Sequence, residues 1–294
     1  MNWDFIYRGE TQSLDDSTRA KAKGSFVRLA EGCTHYELAG PETGRAVVLV
    51  HGFSVPYFIW DGTFQALTNA GHRVLRYDLF GRGYSDRPQV DYDIDLFVRQ
   101  LAALLDALDM ETVDIIGLSM GGAIASAFTV QFPGRVQHLA LIDPIGVEPM
   151  PLNLFYKAAL LPGVSELILS LVGTENMIQS LASDFYDPKQ VERFRAQYRV
   201  QMQFRGFKRA IVSTLRNKTV DGFPQIYERL GRLSMPVLML WGRQDQTLPF
   251  EQSAGIMERV PRMDFRVIEE SGHIPNCEKP EIVHPVLLEF LRSI

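Results

Sequence analysis

Residues 113–123 read Val-Asp-Ile-Ile-Gly-Leu-Ser-Met-Gly-Gly-Ala and continue as IASAFTVQF to Phe132; this stretch decides the fold. VDIIGL is a short, almost wholly apolar run, as expected of a strand buried on both faces. MGGAIASAF is helix-like and crowded with small residues. Ser119 stands between them in a G-x-S-x-G pattern, the nucleophile elbow. A strand that turns at once into a helix strains the backbone at the turn and brings the two elements close together. Gly117, Gly121, Gly122 and Ala123 provide the needed room. Such a turn lifts the serine hydroxyl above the sheet edge and points a helix N-terminus at a reacting carbonyl, where its dipole favours negative charge.

Outward from the elbow, strand-like runs alternate with helical patterns. Ser25–Ala30 and Cys33–Leu38 form an early pair joined by a turn at Glu31-Gly32. Ala46–Val50, Arg73–Asp78, Val113–Leu118 and Val136–Asp143 follow, then Val237–Trp241 and Phe265–Glu269. The alternation predicts a mostly parallel eight-stranded sheet with helices on both faces. Ile94, Phe97, Val98, Leu101, Leu104, Leu105 and Leu108 make one apolar helical stripe, with Asp91 or Asp93 available to cap it. The Asp91-x-Asp93-x-Asp95 triplet is no calcium loop, because Leu96 and Ala102 stand where glycine and an acid are required. From Gly146 to Arg232 the strand rhythm stops and the segment reads as several helices. This divides the chain into a core of residues 1–146 and 233–294 and a helical cap of 147–232, inserted after the sixth strand, where it would roof the crevice at the strand ends.

A serine hydroxyl needs a base, and the base an orienting acid. WGRQD places Asp245 just beyond the run VLMLW, and SGHIP places His273 just beyond FRVIE. Asp143, at the end of another strand in LIDPIG, is the rival acid. Composition excludes other classes. The 294 residues are 46% hydrophobic and 22% charged, enough apolar content for a large core and too much for a disordered chain. A net charge of −5 speaks against nucleic acid as a partner. No apolar run reaches transmembrane length, and no leader pattern opens the chain, so a cytoplasmic location is expected. Cys33 and Cys277 are read as free structural thiols. Gly81-x-Gly83 is a turn, and Asp78 and Asp86 are expected to hold that loop with Arg82 or Arg87.

HGF at 51–53, YDLFGRGYSDRP at 77–88, GLSMGG at 117–122, WGRQD at 241–245 and SGHIP at 271–275 together resemble the successive signatures of the α/β-hydrolase superfamily. The likeness covers nearly all of the chain outside the cap, and is strongest to carboxylesterases and monoacylglycerol-lipase-like serine hydrolases. Serine at 119 sets the chain apart from haloalkane dehalogenases and epoxide hydrolases, which carry aspartate there. The resemblance implies a Ser119–His273–Asp245 triad and an oxyanion hole made by the backbone N–H groups of Phe53 and Met120, with His51 structural. It also implies cleavage of a small-molecule ester or monoacylglycerol through an acyl-enzyme, with no metal or organic cofactor. A carbon–carbon bond hydrolase or enol-lactonase would share this triad, as would a cofactor-free perhydrolase; a ligand receptor on the same scaffold is the reading from another class. In the cap, Phe155, Tyr156 and Leu160 are candidate substrate-binding residues on a strongly apolar stretch suited to transient lipid-surface contact. Arg193, Arg195, Arg199, Arg205, Lys208 and Arg209 form a basic run expected to be a solvated face.

Overall fold

The computed structural model describes residues 7–152, 154, 157, 160 and 174–292. The strands are β1 (Ser25–Arg28), β2 (Cys33–Ala39), β3 (Ala46–Val50), β4 (Arg73–Tyr77), β5 (Val113–Leu118), β6 (Val136–Ile142), β7 (Val237–Gly242) and β8 (Asp264–Ile268). They form one sheet in the order β1-β2-β4-β3-β5-β6-β7-β8. β2 runs antiparallel to β1 and β4, and every other pairing is parallel. Each expected strand is present to within two residues at either end.

Every residue of β5 and β7 is buried. Alternation along β3 shows why. Val48 and Val50 enter one apolar cluster, with residues of α3 (Ile94–Ala107) and α4 (Met120–Gln131). Val47 and Leu49 enter another on the opposite face, with Leu67 of α2 (Asp61–Asn69), which follows α1 (Asp16–Arg19), and with Val283 and Leu287 of the helix Pro280–Phe290. Asp93 caps α3, its carboxylate accepting from Leu96 N at 2.8 Å.

β6 and β7 are neighbours in the sheet, Ala140 opposite Leu238, yet a long segment separates them in sequence. Its regular elements among the described residues are all helical: a stretch at 174–180, α5 (Val191–Gln201), α6 (Phe207–Arg216) and α7 (Pro224–Leu230), with 3-10 turns between. The two ends of the segment are tied side by side, Met150 N to Val220 O at 2.8 Å and Phe223 N to Gly146 O at 2.7 Å. Met177, Ile178, Leu181, Tyr198, Met202, Phe207, Ile211 and Val212 make a third apolar cluster there, which Tyr7 joins. Residues 7–12 belong to this cluster's surroundings: Glu10 accepts from Gly206 N and Lys208 N, and Gln12 bridges Phe204.

Two expectations need correction. Lys208 of the basic run is fully buried and donates to Arg8 O, and Arg209 is spent on the carbonyls of Arg87 and Pro88. Arg193, Arg199 and Arg205 are exposed, as a solvated face requires, and Arg193, Arg195 and Arg199 pair there with Asp61, Glu192 and Glu175. Nor do Asp78 and Asp86 pair with Arg82 or Arg87. Asp78 accepts from His35 Nδ1 and from the amides of Tyr57 and Tyr84, and Asp86 holds Arg19 and Cys33 N. The end of β4 lies against β2, so the acids meet partners from β2 and the N-terminal segment before any arginine of their own loop.

Candidate active site

Ser119 follows β5 directly and opens α4 with φ +56° and ψ −124°. A non-glycine residue held there costs about 1–3 kcal/mol, so the surroundings must impose it. Ser119 N donates to Ile142 O at 2.9 Å, and Ser119 O accepts from Gly122 N and Ile145 N at 2.9 and 3.1 Å. Gly121 shows how close the packing is: a Cβ there would lie 2.2 Å from Val50 O and 2.5 Å from His51 O.

His273 lies in the loop after β8. Its Nδ1 is 2.7 Å from Asp245 Oδ2, and a carboxylate only accepts, so Nδ1 carries the hydrogen and Nε2 is left as the basic nitrogen. The other oxygen of Asp245 accepts from the amides of Thr247 and Leu248 at 2.8 and 2.9 Å. Burial pulls the His273 pKa down, but the charge and hydrogen bond of Asp245, with Asp184 beyond, outweigh it and leave the pKa above the ordinary value. Of the two rival acids, it is therefore Asp245 that touches the histidine. Asp143 points one oxygen at Gly242 N, at 2.8 Å, and its other oxygen has no partner among the described residues. Burial and then the nearby Asp245 push the Asp143 pKa well above the ordinary carboxylate value. Donor atoms of Asp143, Asp245 and His273 lie within 4.8 Å of one another.

The loop after β3 approaches the serine from the other side. A Cβ on Gly52 would sit 3.1 Å from Ser119 Cβ. His51 Nε2 accepts from Leu79 N at 3.0 Å, so its Nδ1 holds the hydrogen and donates to Gly52 O at 2.9 Å. Burial drops the His51 pKa to about 4, which keeps the ring neutral in this role. Gly52 C=O and Phe53 N–H share one planar peptide and point opposite ways, so pinning the carbonyl aims the amide. In the same way the pinned Ser119 carbonyl aims Met120 N–H, which as the first amide of α4 has no acceptor within its helix. Arg82, fully buried, donates to Phe53 O at 2.9 Å and to Thr214 Oγ1 of α6 at 2.8 Å. It thus joins this loop to the inserted helices.

Ser119 and His273 open on one cavity of about 280 Å³. Its walls include Phe53, Val55, Leu118, Met150, Leu152 and Phe194, so they are mainly apolar and come from both the sheet loops and the inserted segment. Residues 184–187 of that segment are docked on the histidine loop. His273 N donates to Asp184 O at 2.9 Å, and Glu278 accepts from Tyr186 N, Asp187 N and Gly272 N. Phe155 and Tyr156 lie outside the described residues; Leu160 is partly buried against the main core cluster and is not among the cavity walls. Asp184, Thr247, Glu278 and Arg82 have no local sequence signature for their contacts here. The contacts Arg82–Thr214, Thr247–Asp184 and Glu278–Tyr186 each join parts of the chain that are distant in sequence.

Comparison with known proteins agrees with this architecture. The chain is 29% identical to 2-hydroxy-6-oxo-2,4-heptadienoate hydrolase of Pseudomonas putida over 257 residues, 85% of this chain and 90% of the relative. A solved meta-cleavage product hydrolase (CumD) from Pseudomonas fluorescens superposes with a TM-score of 0.75 at 26% identity, over 91% of this chain and 97% of that one. An enol-lactonase from Burkholderia xenovorans shares the fold at TM-score 0.79 and 19% identity, over 92% of this chain and all of the other. The family model for the alpha/beta hydrolase fold matches residues 45–280, four-fifths of the sequence and both ends of the site, and the chain belongs to that family.

Proposed function

We propose that this hydrolase acylates Ser119 and then transfers the acyl group to water, with His273 as general base and acid, Asp245 as its orienting acid, and the amides of Phe53 and Met120 as the oxyanion hole. The observation that carries this reading is the buried Asp245–His273 hydrogen bond opening on the same cavity as the strained Ser119. His273 Nε2 takes the serine proton as the hydroxyl attacks a carbonyl. The collapsing intermediate expels its leaving group, which receives that proton, and water then repeats the sequence on the acyl-enzyme. Segment 147–232 serves as the cap over this cavity.

Two bond types suit this machinery. The names of the relatives favour cleavage of a carbon–carbon bond next to a ketone, or of an enol-lactone, because both expel a stabilised enolate that His273 protonates on carbon or oxygen. The apolar cavity walls favour the second reading, a simple carboxylic ester of carboxylesterase or monoacylglycerol-lipase type. The test sets p-nitrophenyl esters of two to sixteen carbons beside a 2-hydroxy-6-oxo-dienoate and its methyl ester. Parent and Ser119→Ala protein are compared on each. The expected result is at least about a hundredfold loss in the folded variant on whichever class turns over. A variant as fast as the parent would overturn the serine mechanism.

A further inference from the structure

The charge pattern of the cavity is one-sided. Among the described residues that line it, Asp184 is the one carboxylate, and none is lysine or arginine. Residues 153, 155, 156, 158, 159 and 161–173 contain neither of those cations. Asp184 is held in place from three directions. Thr247 Oγ1 donates to its Oδ1 at 2.6 Å, its carbonyl accepts from His273 N, and Gly272 packs so tightly beneath that a Cβ would come within 2.7 Å of that carbonyl. Its second carboxylate oxygen has no hydrogen-bond partner among the described residues.

We infer that Asp184 is a specificity-determining residue that turns carboxylate-bearing acyl compounds away from Ser119 and selects uncharged ones, its open oxygen accepting from a hydroxyl or amide of the substrate. The inference rests on Ser119 being the nucleophile. A substrate carboxylate brought beside Asp184, whose own pKa burial already raises, meets repulsion with little screening, and among the described lining residues only His273, which must be neutral to act as base, could carry a compensating charge. A hydroxyl-bearing substrate meets the opposite situation, a fixed acceptor in want of a donor. The relatives named for dienoates act on acids, so this chain would differ from them in what its cavity admits rather than in its nucleophile.

The test uses pairs that differ only in charge: p-nitrophenyl valerate against mono-p-nitrophenyl succinate on the acyl side, and 1-butyrylglycerol against O-butyryl glycerate on the alcohol side. Labelling of Ser119 by an alkyl fluorophosphonate and by its ω-carboxyalkyl counterpart gives the same comparison without turnover. The parent should prefer the neutral member at least about tenfold in one pair and in labelling. Asp184→Asn, which keeps the shape and the contact with Thr247, should shrink that preference about tenfold. An effect of Asp184 on the basicity of His273 alone would change both members alike and leave the ratio untouched, so an unchanged ratio overturns the inference. So does a parent that shows no charge preference. If Ser119 takes neither label, the nucleophile reading itself has failed, and this inference goes with it.

Discussion

The floor and the roof of the cavity are held by different means. In the floor, every residue of β5 and all of Met120–Val130 in α4 are buried, and backbone touches backbone at Gly121. In the roof, α5 buries only Val191, Tyr198 and Gln201, and its outer face carries ion pairs such as Arg199–Glu175. Chemistry that needs fixed geometry sits where a single methyl group cannot be added. On the proposed function, choice of substrate would sit where side chains can change without disturbing the elbow.

The sharpest attempt to break this contrast is Gly121→Val. Its side chain would run into the carbonyls of Val50 and His51, and neither can withdraw, so we expect a loss of about 3 kcal/mol or more in a urea denaturation series, with activity lost alongside. Unchanged stability would mean the floor has slack after all.

Next in size is Asp245→Asn. It should lower kcat by about 10³–10⁴ while leaving the melting temperature close to the parent's. The equivalent change at Asp143, whose carboxylate accepts from Gly242 N and makes no hydrogen bond to His273, should cost less than about tenfold, and comparable losses at both sites would merge the two roles. The pH profile sharpens the same point. His273 must be neutral to act as base, and its pKa lies above the ordinary 6.5, so kcat/KM should fall as pH drops through that raised value. In Asp245→Asn the charge responsible is gone, and the residual activity should lose its acid limb only at lower pH.

Arg82 ties floor to roof, and Arg82→Met probes the tie. Removing it takes one donor from the Phe53 carbonyl and one from Thr214 Oγ1, for an expected tenfold or so in kcat and about 2 kcal/mol in stability. A fall in kcat with KM unmoved would point to the oxyanion loop, and a change in KM alone would point to the roof. The smallest effect is expected at the outer face. Arg199→Ala should leave both melting temperature and kcat/KM within error, because its partner is exposed and the pair is screened.

How legible each part was in the sequence follows the same division. VDIIGL, Ser119 and the glycines around it announce the elbow because strand, turn and helix are contiguous in the chain. Strand positions were legible for the same reason, and Asp93 was rightly a possible cap for α3. Asp245 was favoured over Asp143 by its motif, and the hydrogen bond to His273 Nδ1 agrees with that preference. What escaped were pairings across long sequence distances. Nothing near Asp184 marks it as a wall of the cavity, since its setting is created by Thr247 and Gly272. The basic run misled only at its end, because charge counts cannot see that Lys208 turns inward toward Arg8 and Glu10, or that Arg209 spends its guanidinium on carbonyls.

The carboxylate of Glu278 has a practical corollary for anyone exchanging roofs among relatives. The natural seam for a graft lies at Gly146–Met150 and Val220–Phe223, where two backbone hydrogen bonds close the insertion. A roof cut there still lands on Glu278, which divides its acceptors between Tyr186 and Asp187 above and Gly272 beside His273. An incoming segment must present two amides at that spot. Without them a buried carboxylate loses two of its donors next to His273, and the transplant would disturb the histidine loop of its host while leaving Ser119, Asp245 and His273 in the sequence.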